Sequence, residues 1–326
     1  MYLAFYGLKE KPFNSTPDPR FLYLTPGHRE ALSQLVYGVQ EHKGFMVLTG
    51  EVGTGKTTLL RTLLTRLDGH TAVAFVFNST LPFDEILEYV LHDFGIAKGG
   101  ASRVERLVAL NNFLIERRRS GQNTVVIFDE AQNLEAATLE QIRLLSNFET
   151  TTDKLVQILL VGQPELKARL MLPQLRQLKQ RISLRCAIPP LRQEEVKDYI
   201  RKRLWIAGGR DLDLFAERAV LQIAEYANGI PRVINIVCDH CLLIGYADQT
   251  RRIDAGIVQR AIKYLEDGEL PGRRTATSRA PSSRRVPRWA VGVIAAAVVG
   301  GCAALALPEG ALPRALTTLA QTWLGR

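Results

Sequence analysis

The sequence predicts an α/β fold: a parallel five-stranded sheet, an all-helical lid after it, and one transmembrane helix near the C-terminus. Three observations carry that prediction. Five apolar runs of strand length alternate with amphipathic stretches, strand signals stop at a Pro-Pro pair, and a nineteen-residue segment without a charge stands near the end of the chain. Continuous apolar strands separated by helices suit a parallel sheet, because a sheet covered on both faces shows neither to water.

The N-terminal stretch Met1–Phe13 has no basic region followed by an apolar run, so it reads as part of the folded domain rather than as a signal peptide. The strand runs are Phe45–Thr49, Ala72–Phe77, Thr124–Phe128, Val156–Val161 and Ser183–Ile188. Thr57–Leu67, Phe83–Phe94, Val104–Arg119 and Ala137–Phe148 lie between them with apolar residues at helical spacing. Beyond Pro189-Pro190 only helical periodicity remains, over 193–207, 214–227, 231–247 and 254–267. The expected organisation is a core at 1–190, a lid at 191–267, a flexible basic linker at 268–288, a membrane helix at 289–307 and a short non-cytoplasmic tail at 308–326.

The charge follows this division. Residues 1–270 hold 34 basic and 32 acidic side chains, a net of +2, whereas 271–326 hold 8 and 1, a net of +7. Trp289–Leu307 would span about 28 Å as a helix, close to the roughly 30 Å of a bilayer core. Six linker arginines precede it and Trp289 stands at its edge, which fits a cytoplasmic basic flank facing anionic lipid and an interfacial aromatic. The expected location is a single pass through the inner (cytoplasmic) membrane with the body in the cytoplasm. Gly292, Ala296, Gly300 and Ala304 form a small-residue stripe on which two such helices could approach. The near-neutral body does not favour nucleic acid as a partner.

Four cysteines are too few for a disulfide scaffold in 326 residues. Cys238 and Cys241 form a Cys-x-x-Cys pair without a second pair at zinc spacing, so they read as buried helix residues.

The chemistry-bearing motif is Gly50-Glu51-Val52-Gly53-Thr54-Gly55-Lys56-Thr57, with Thr58 behind it, placed between a strand and a helix. In that context the glycines free the backbone to wrap phosphates, and the helix start offers unpaired N–H groups and a positive dipole end. Lys56 supplies a point charge to the β- and γ-phosphates of ATP, and the Thr57 hydroxyl a ligand for Mg2+. Val125–Phe128 followed by Asp129-Glu130 is an apolar strand ending in two acids, on the edge where open α/β sheets bind ligands. Asp129 is the second candidate magnesium ligand and Glu130 the candidate general base for the attacking water.

With these motifs the chain resembles the ExeA/GspA-type general secretion pathway ATPases, a family of AAA+ P-loop NTPases that includes an exopolysaccharide and protein-sorting branch and is itself similar to transposition helper ATPases. The matching residues are Phe5-Tyr-Gly-Leu-x-x-x-Pro-Phe13, Pro17-Asp-Pro-Arg20, the loop at 50–57, Asp129-Glu-Ala-Gln-Asn-Leu134, Leu160-Val-Gly-Gln-Pro-Glu-Leu166, Leu175-Arg-Gln-Leu-Lys-Gln-Arg181 and Gly229-Ile-Pro-Arg232. The resemblance implies a five-stranded core with a helical lid. It implies Gln163 as a polar sensor of the γ-phosphate and Arg232 as a lid arginine reading it in cis. It further implies Arg181, with Arg176 as runner-up, as a finger reaching a neighbouring subunit's nucleotide in a homo-oligomer, and the segments Tyr6–Phe13 and Pro26–His28 as walls of the adenine pocket. The function it implies is a membrane-anchored ATPase assisting a secretion or cell-envelope export system and its assembly proteins. The alternative is a DNA-binding ATPase like the transposition helpers.

Overall fold

The computed structural model describes residues 2–267 except 15, 17, 68, 78, 97–101 and 152. The expected linker, membrane helix and tail at 268–326 lie outside the described residues. Among the described residues no helix is long and apolar enough to cross a membrane.

A short helix α1 (Tyr2–Tyr6) and α2 (Pro26–Gln40) precede the first strand, β1 (Phe45–Gly50). Then come α3 (Lys56–Arg66), β2 (Ala72–Val76), α4 (Phe83–Asp93), α5 (Arg103–Arg119), β3 (Thr124–Phe128), α6 (Ala136–Leu145) and β4 (Gln157–Gly162). Two short helices, α7 (Glu165–Leu170) and α8 (Arg176–Arg181), lead to β5 (Ile182–Ile188). Four helices close the described chain: α9 (Gln193–Ile206), α10 (Glu217–Ala227), α11 (Pro231–Ala247) and α12 (Ala255–Asp267). The five strands and the helices between them fall within a residue or a few of the periodicity. Helices α1, α2, α7 and α8 are additional; α7 and α8 are too short to show a helical period.

The five strands form one parallel sheet in the order β2-β3-β4-β1-β5. Alternation along each strand divides the core into two layers. Phe45, Val47, Val126, Phe128, Ile158 and Leu160 pack with α4–α8. Met46, Leu48, Val125, Ile127, Leu159 and Val161 pack with α2 and α3. Every residue of β1, β3 and β4 is buried, which is why those strands read as unbroken apolar runs. β5 is an edge strand with Ser183, Arg185 and Ala187 exposed. The order places β1 and β3 on either side of β4, so the loop after β1 and the acids after β3 meet at one end of the sheet.

A third cluster is built by α9–α12, and it includes the N-terminal Tyr2, Leu8 and Phe13. Phe13 sits edge-on to Phe215, its ring centroid 6.0 Å away, and the Tyr2 hydroxyl donates to Asp239 at 2.5 Å. The segment expected to wall the adenine pocket is therefore largely committed to the helical cluster. The described residues fall within one compact unit, 1–270.

Candidate nucleotide site

β1 ends at Gly50, and the loop reaches α3 through Gly53 and Gly55, whose φ angles are +81° and +99°. L-residues with a Cβ resist that region, so the turn depends on glycine. A Cβ on Gly53 would also stand 2.4 Å from Arg232 Cβ, and the Arg232 N–H donates to the Gly53 carbonyl at 3.2 Å. The loop and the start of α11 are thus locked backbone to backbone. Lys56 is buried and donates from Nζ to the Gly50 and Glu51 carbonyls at 2.8 and 3.0 Å. Burial lowers its pKa, opposed by the nearby Glu130 and Asp129 charges.

The two acids after β3 differ in environment. Asp129 is buried; burial raises its pKa, with the Glu130 charge adding to this and hydrogen bonds from the Glu130 N–H at 2.9 Å and from the Thr57 side chain opposing it. Glu130 occupies the left-handed region at φ +50°, uncommon for a residue with a side chain, so the turn that presents it stores strain. Burial would raise its pKa too, yet the net direction is down. Gln132 Nε2 donates to Glu130 Oε2 at 2.6 Å, Gln163 Nε2 donates to the same oxygen at 3.2 Å, and the Lys56 charge adds to them. The Gln163 N–H donates to Gln132 Oε1 at 3.0 Å, so the two amides form a clamp on the carboxylate. Side by side, Asp129 is thus shifted up and Glu130 down from their ordinary values.

A cavity of about 380 Å³ opens over the loop, within the roughly 300–1,000 Å³ of small-molecule sites. Val52, Gly53, Thr54, Gly55, Lys56, Thr57, Thr58, Glu130 and Arg232 line it. Asp129 and Gln163 do not line it but are hydrogen-bonded to Thr57 and Glu130, which do, and the Gly50 and Glu51 carbonyls hold Lys56. His28 lines it as well, its Nδ1 2.7 Å from Thr25 Oγ1 and its Nε2 3.1 Å from the Thr54 carbonyl. Burial lowers the His28 pKa.

The far end of the cavity is formed by residues that sequence reasoning missed. Phe21, Leu22, Tyr23, Tyr199, Arg203 and Asn235 line it, with the Tyr23 ring edge-on to Tyr199 at 6.0 Å. Arg203 is buried, lies over the Phe21 ring at 4.7 Å, and donates to Pro12 O at 2.6 Å, Asn14 O at 3.2 Å and Tyr199 Oη at 2.8 Å. Tyr199 in turn donates to Asn235 Oδ1 at 2.9 Å. The signal was present: Arg203 recurs at i+4 from Tyr199 on the apolar stripe of Val196, Ile200 and Leu204, where a charge demands a partner. Of the N-terminal segments expected at the pocket, His28 is there; Asn14, Thr16, Asp18 and Phe21 to Tyr23 line the cavity, whereas Tyr6–Phe13 does not.

Arg181 is not at this cavity. It donates to Ser146 Oγ at 2.6 Å and Asn147 Oδ1 at 2.5 Å at the end of α6, while Arg176 is exposed and makes no ion pair among the described residues. Cys238 and Cys241 are buried and unpaired in α11, and burial raises both thiol pKa values.

Strand order, loop and acid pair define a AAA-type P-loop ATPase. A family model described as a AAA domain matches residues 39–170. General secretion pathway protein A of Aeromonas hydrophila is 40% identical over 262 residues, 80% of this chain and 48% of the relative. The chain is similar to the ExeA/GspA-type ATPases over that stretch, and it spans about half the length of that curated relative. Two solved structures share the fold. The Aeropyrum pernix ORC2 protein, in ADPNP–ADP complexes, has a TM-score of 0.60 at 17% identity over 81% of this chain and 73% of its own. Cdc6p from Pyrobaculum aerophilum has a TM-score of 0.60 at 19% identity over 78% and 70%.

Proposed function

We propose that the protein is a membrane-anchored ATPase that binds and hydrolyses magnesium ATP to assist assembly or operation of a secretion or cell-envelope export system. The observation that carries hydrolysis is the Glu130 carboxylate, kept anionic by the Gln132–Gln163 clamp beside Lys56 and the Thr57–Asp129 pair. Lys56 would exchange the Gly50 and Glu51 carbonyls for phosphate oxygens, and the backbone N–H groups at the start of α3 would cradle the same anion. Glu130 would orient a water and accept its proton. Arg232, lying against the loop through Gly53, would meet the γ-phosphate from the α11 side.

A hydroxyl and a carboxylate in hydrogen-bond contact are a donor set that suits Mg2+, which takes few protein oxygens and completes its octahedron from phosphate and water. Thr57 and Asp129 would hold it, and it would neutralise phosphate charge. The tether reading rests on the uncharged stretch 289–307 behind six arginines, and the secretion reading on the relative's name.

Steady-state phosphate release by the purified chain tests the proposal. Turnover that is abolished by Lys56→Ala and by chelation of magnesium supports it, and no turnover at any protein concentration sinks it. A homo-oligomer with a finger in trans predicts specific activity that rises with concentration and collapses in Arg181→Ala or Arg176→Ala. A flat profile removes that part. A salt-sensitive gel shift by the chain would favour the DNA-binding alternative.

A further inference from the structure

On the sheet face covered by α4–α8, the helical layer ends before the edge strand. Val47 stands level with Arg185 in the β1–β5 register, so the two side chains share this face; Val47 is buried and Arg185 exposed. The uncovered corner is a second cavity, about 290 Å³, walled by Val47, Leu170 and Met171. Met171 is 58% exposed at its rim. Three cations from three elements line it: Lys167 of α7, Lys179 of α8 and Arg185 of β5. No acidic residue lines it, and none of the three cations makes an ion pair among the described residues. Arg185 donates to the Lys179 carbonyl at 3.2 Å, which holds its guanidinium beside the end of α8. Residues 165–187 carry six basic side chains and one acid, although residues 1–270 as a whole have a net of only +2. Unpaired cations around an apolar floor cost free energy in self-repulsion, and an anion with an apolar anchor relieves it.

We propose that this cavity is a docking site for an acidic peptide segment of a partner protein. One apolar side chain seats against Val47, Leu170 and Met171, and flanking carboxylates meet Lys167, Lys179 and Arg185. Size, cation number and shape select that occupant. A cavity of about 290 Å³ accommodates one anchoring side chain of the kind that dominates peptide recognition. Three cations are fewer than the roughly six to ten phosphate contacts behind tight nucleic-acid binding. A concave floor does not fit a flat lipid surface, where cations act from the outside.

Fluorescence anisotropy on the full chain tests this with the fluorescein-labelled peptide DELED and its neutral counterpart NQLQN. DELED binds at least about tenfold more tightly than NQLQN, and more weakly as salt rises. Lys167→Glu with Lys179→Glu lowers its affinity at least about tenfold at an unchanged melting temperature, and the same double variant gains binding to KKLKK. Because Lys167 is exposed and Lys179 half-buried, and neither ammonium donates a hydrogen bond among the described residues, the double variant retains its fold; should its melting temperature fall, Lys167→Gln with Lys179→Gln gives the same loss. Absence of DELED binding, equal binding of NQLQN, or indifference to the substitutions overturns the proposal. So does displacement of DELED by inorganic phosphate or by an oligo-dT strand more readily than by unlabelled DELED.

Discussion

Glu130 combines a strained backbone, two amide partners and a nearby lysine in one residue, and each has a separable consequence. Replacing the carboxylate by its amide, Glu130→Gln, keeps the shape but removes the proton acceptor. The expected outcome is a loss of turnover of roughly 10²–10⁴-fold with nucleotide binding retained, read by phosphate release beside fluorescence titration of a labelled nucleotide. His28 gives a pH signature. Its folded pKa lies below the usual imidazole value, so the folded state binds fewer protons than the unfolded one. Its contribution to stability is present above about pH 6.5 and is lost as pH falls through the folded pKa. His42 has the same direction from burial first and Arg118 second, so both contribute. The melting temperature should therefore drop on acidification below that range, and His28→Gln should make the drop shallower; an identical slope would exclude His28 as a source.

At the scale of elements, the loop after β1 and the start of α11 form one joint. Gly53→Ala puts a side chain at φ +81° and into Arg232 Cβ, so the joint must open. Nucleotide affinity should fall at least about tenfold, on the order of 1.4 kcal/mol, measured by isothermal titration. α9 makes a second joint through Arg203, which satisfies two N-terminal carbonyls and Tyr199 from a buried position. Charge-assisted hydrogen bonds of this kind contribute roughly 1.5–3 kcal/mol each and are not additive. Arg203→Ala should destabilise the protein by about 3 kcal/mol in a denaturant titration. It should also raise amide exchange around Asn14 and Phe21 before the sheet is affected. These joints were only partly legible beforehand. Loop and acid pair announce themselves because phosphate chemistry restricts residue type at fixed spacing. Arg203 announces its burial by its place on the apolar stripe of α9 but not its partners, which are carbonyls 189 and 191 residues away.

For the whole molecule, the uncharged stretch at 289–307 makes a prediction of its own. The full chain should float with anionic vesicles in a density gradient, and a chain ending at 270 should stay in the dense fractions; flotation of both would remove 289–307 as the anchor. The sheet, the helices α3–α6 between its strands, the four lid helices and the phosphate loop were readable from the residues alone, since burial on both faces imposes unbroken apolar runs and phosphate binding imposes glycine, lysine and threonine in one order; α2, α7 and α8 on the sheet were not. The basic clustering of the tail was readable as well, being a matter of counting. Tertiary structure alone decided that Tyr2, Leu8 and Phe13 pack with the last four described helices, because they are apolar enough for either cluster and only contact chooses between them. It alone decided that Gln132 and Gln163 clamp Glu130, that Arg181 turns to α6, and that three cations meet over an uncovered corner of the sheet. Those relations join residues distant in the chain, and local periodicity carries no information about them.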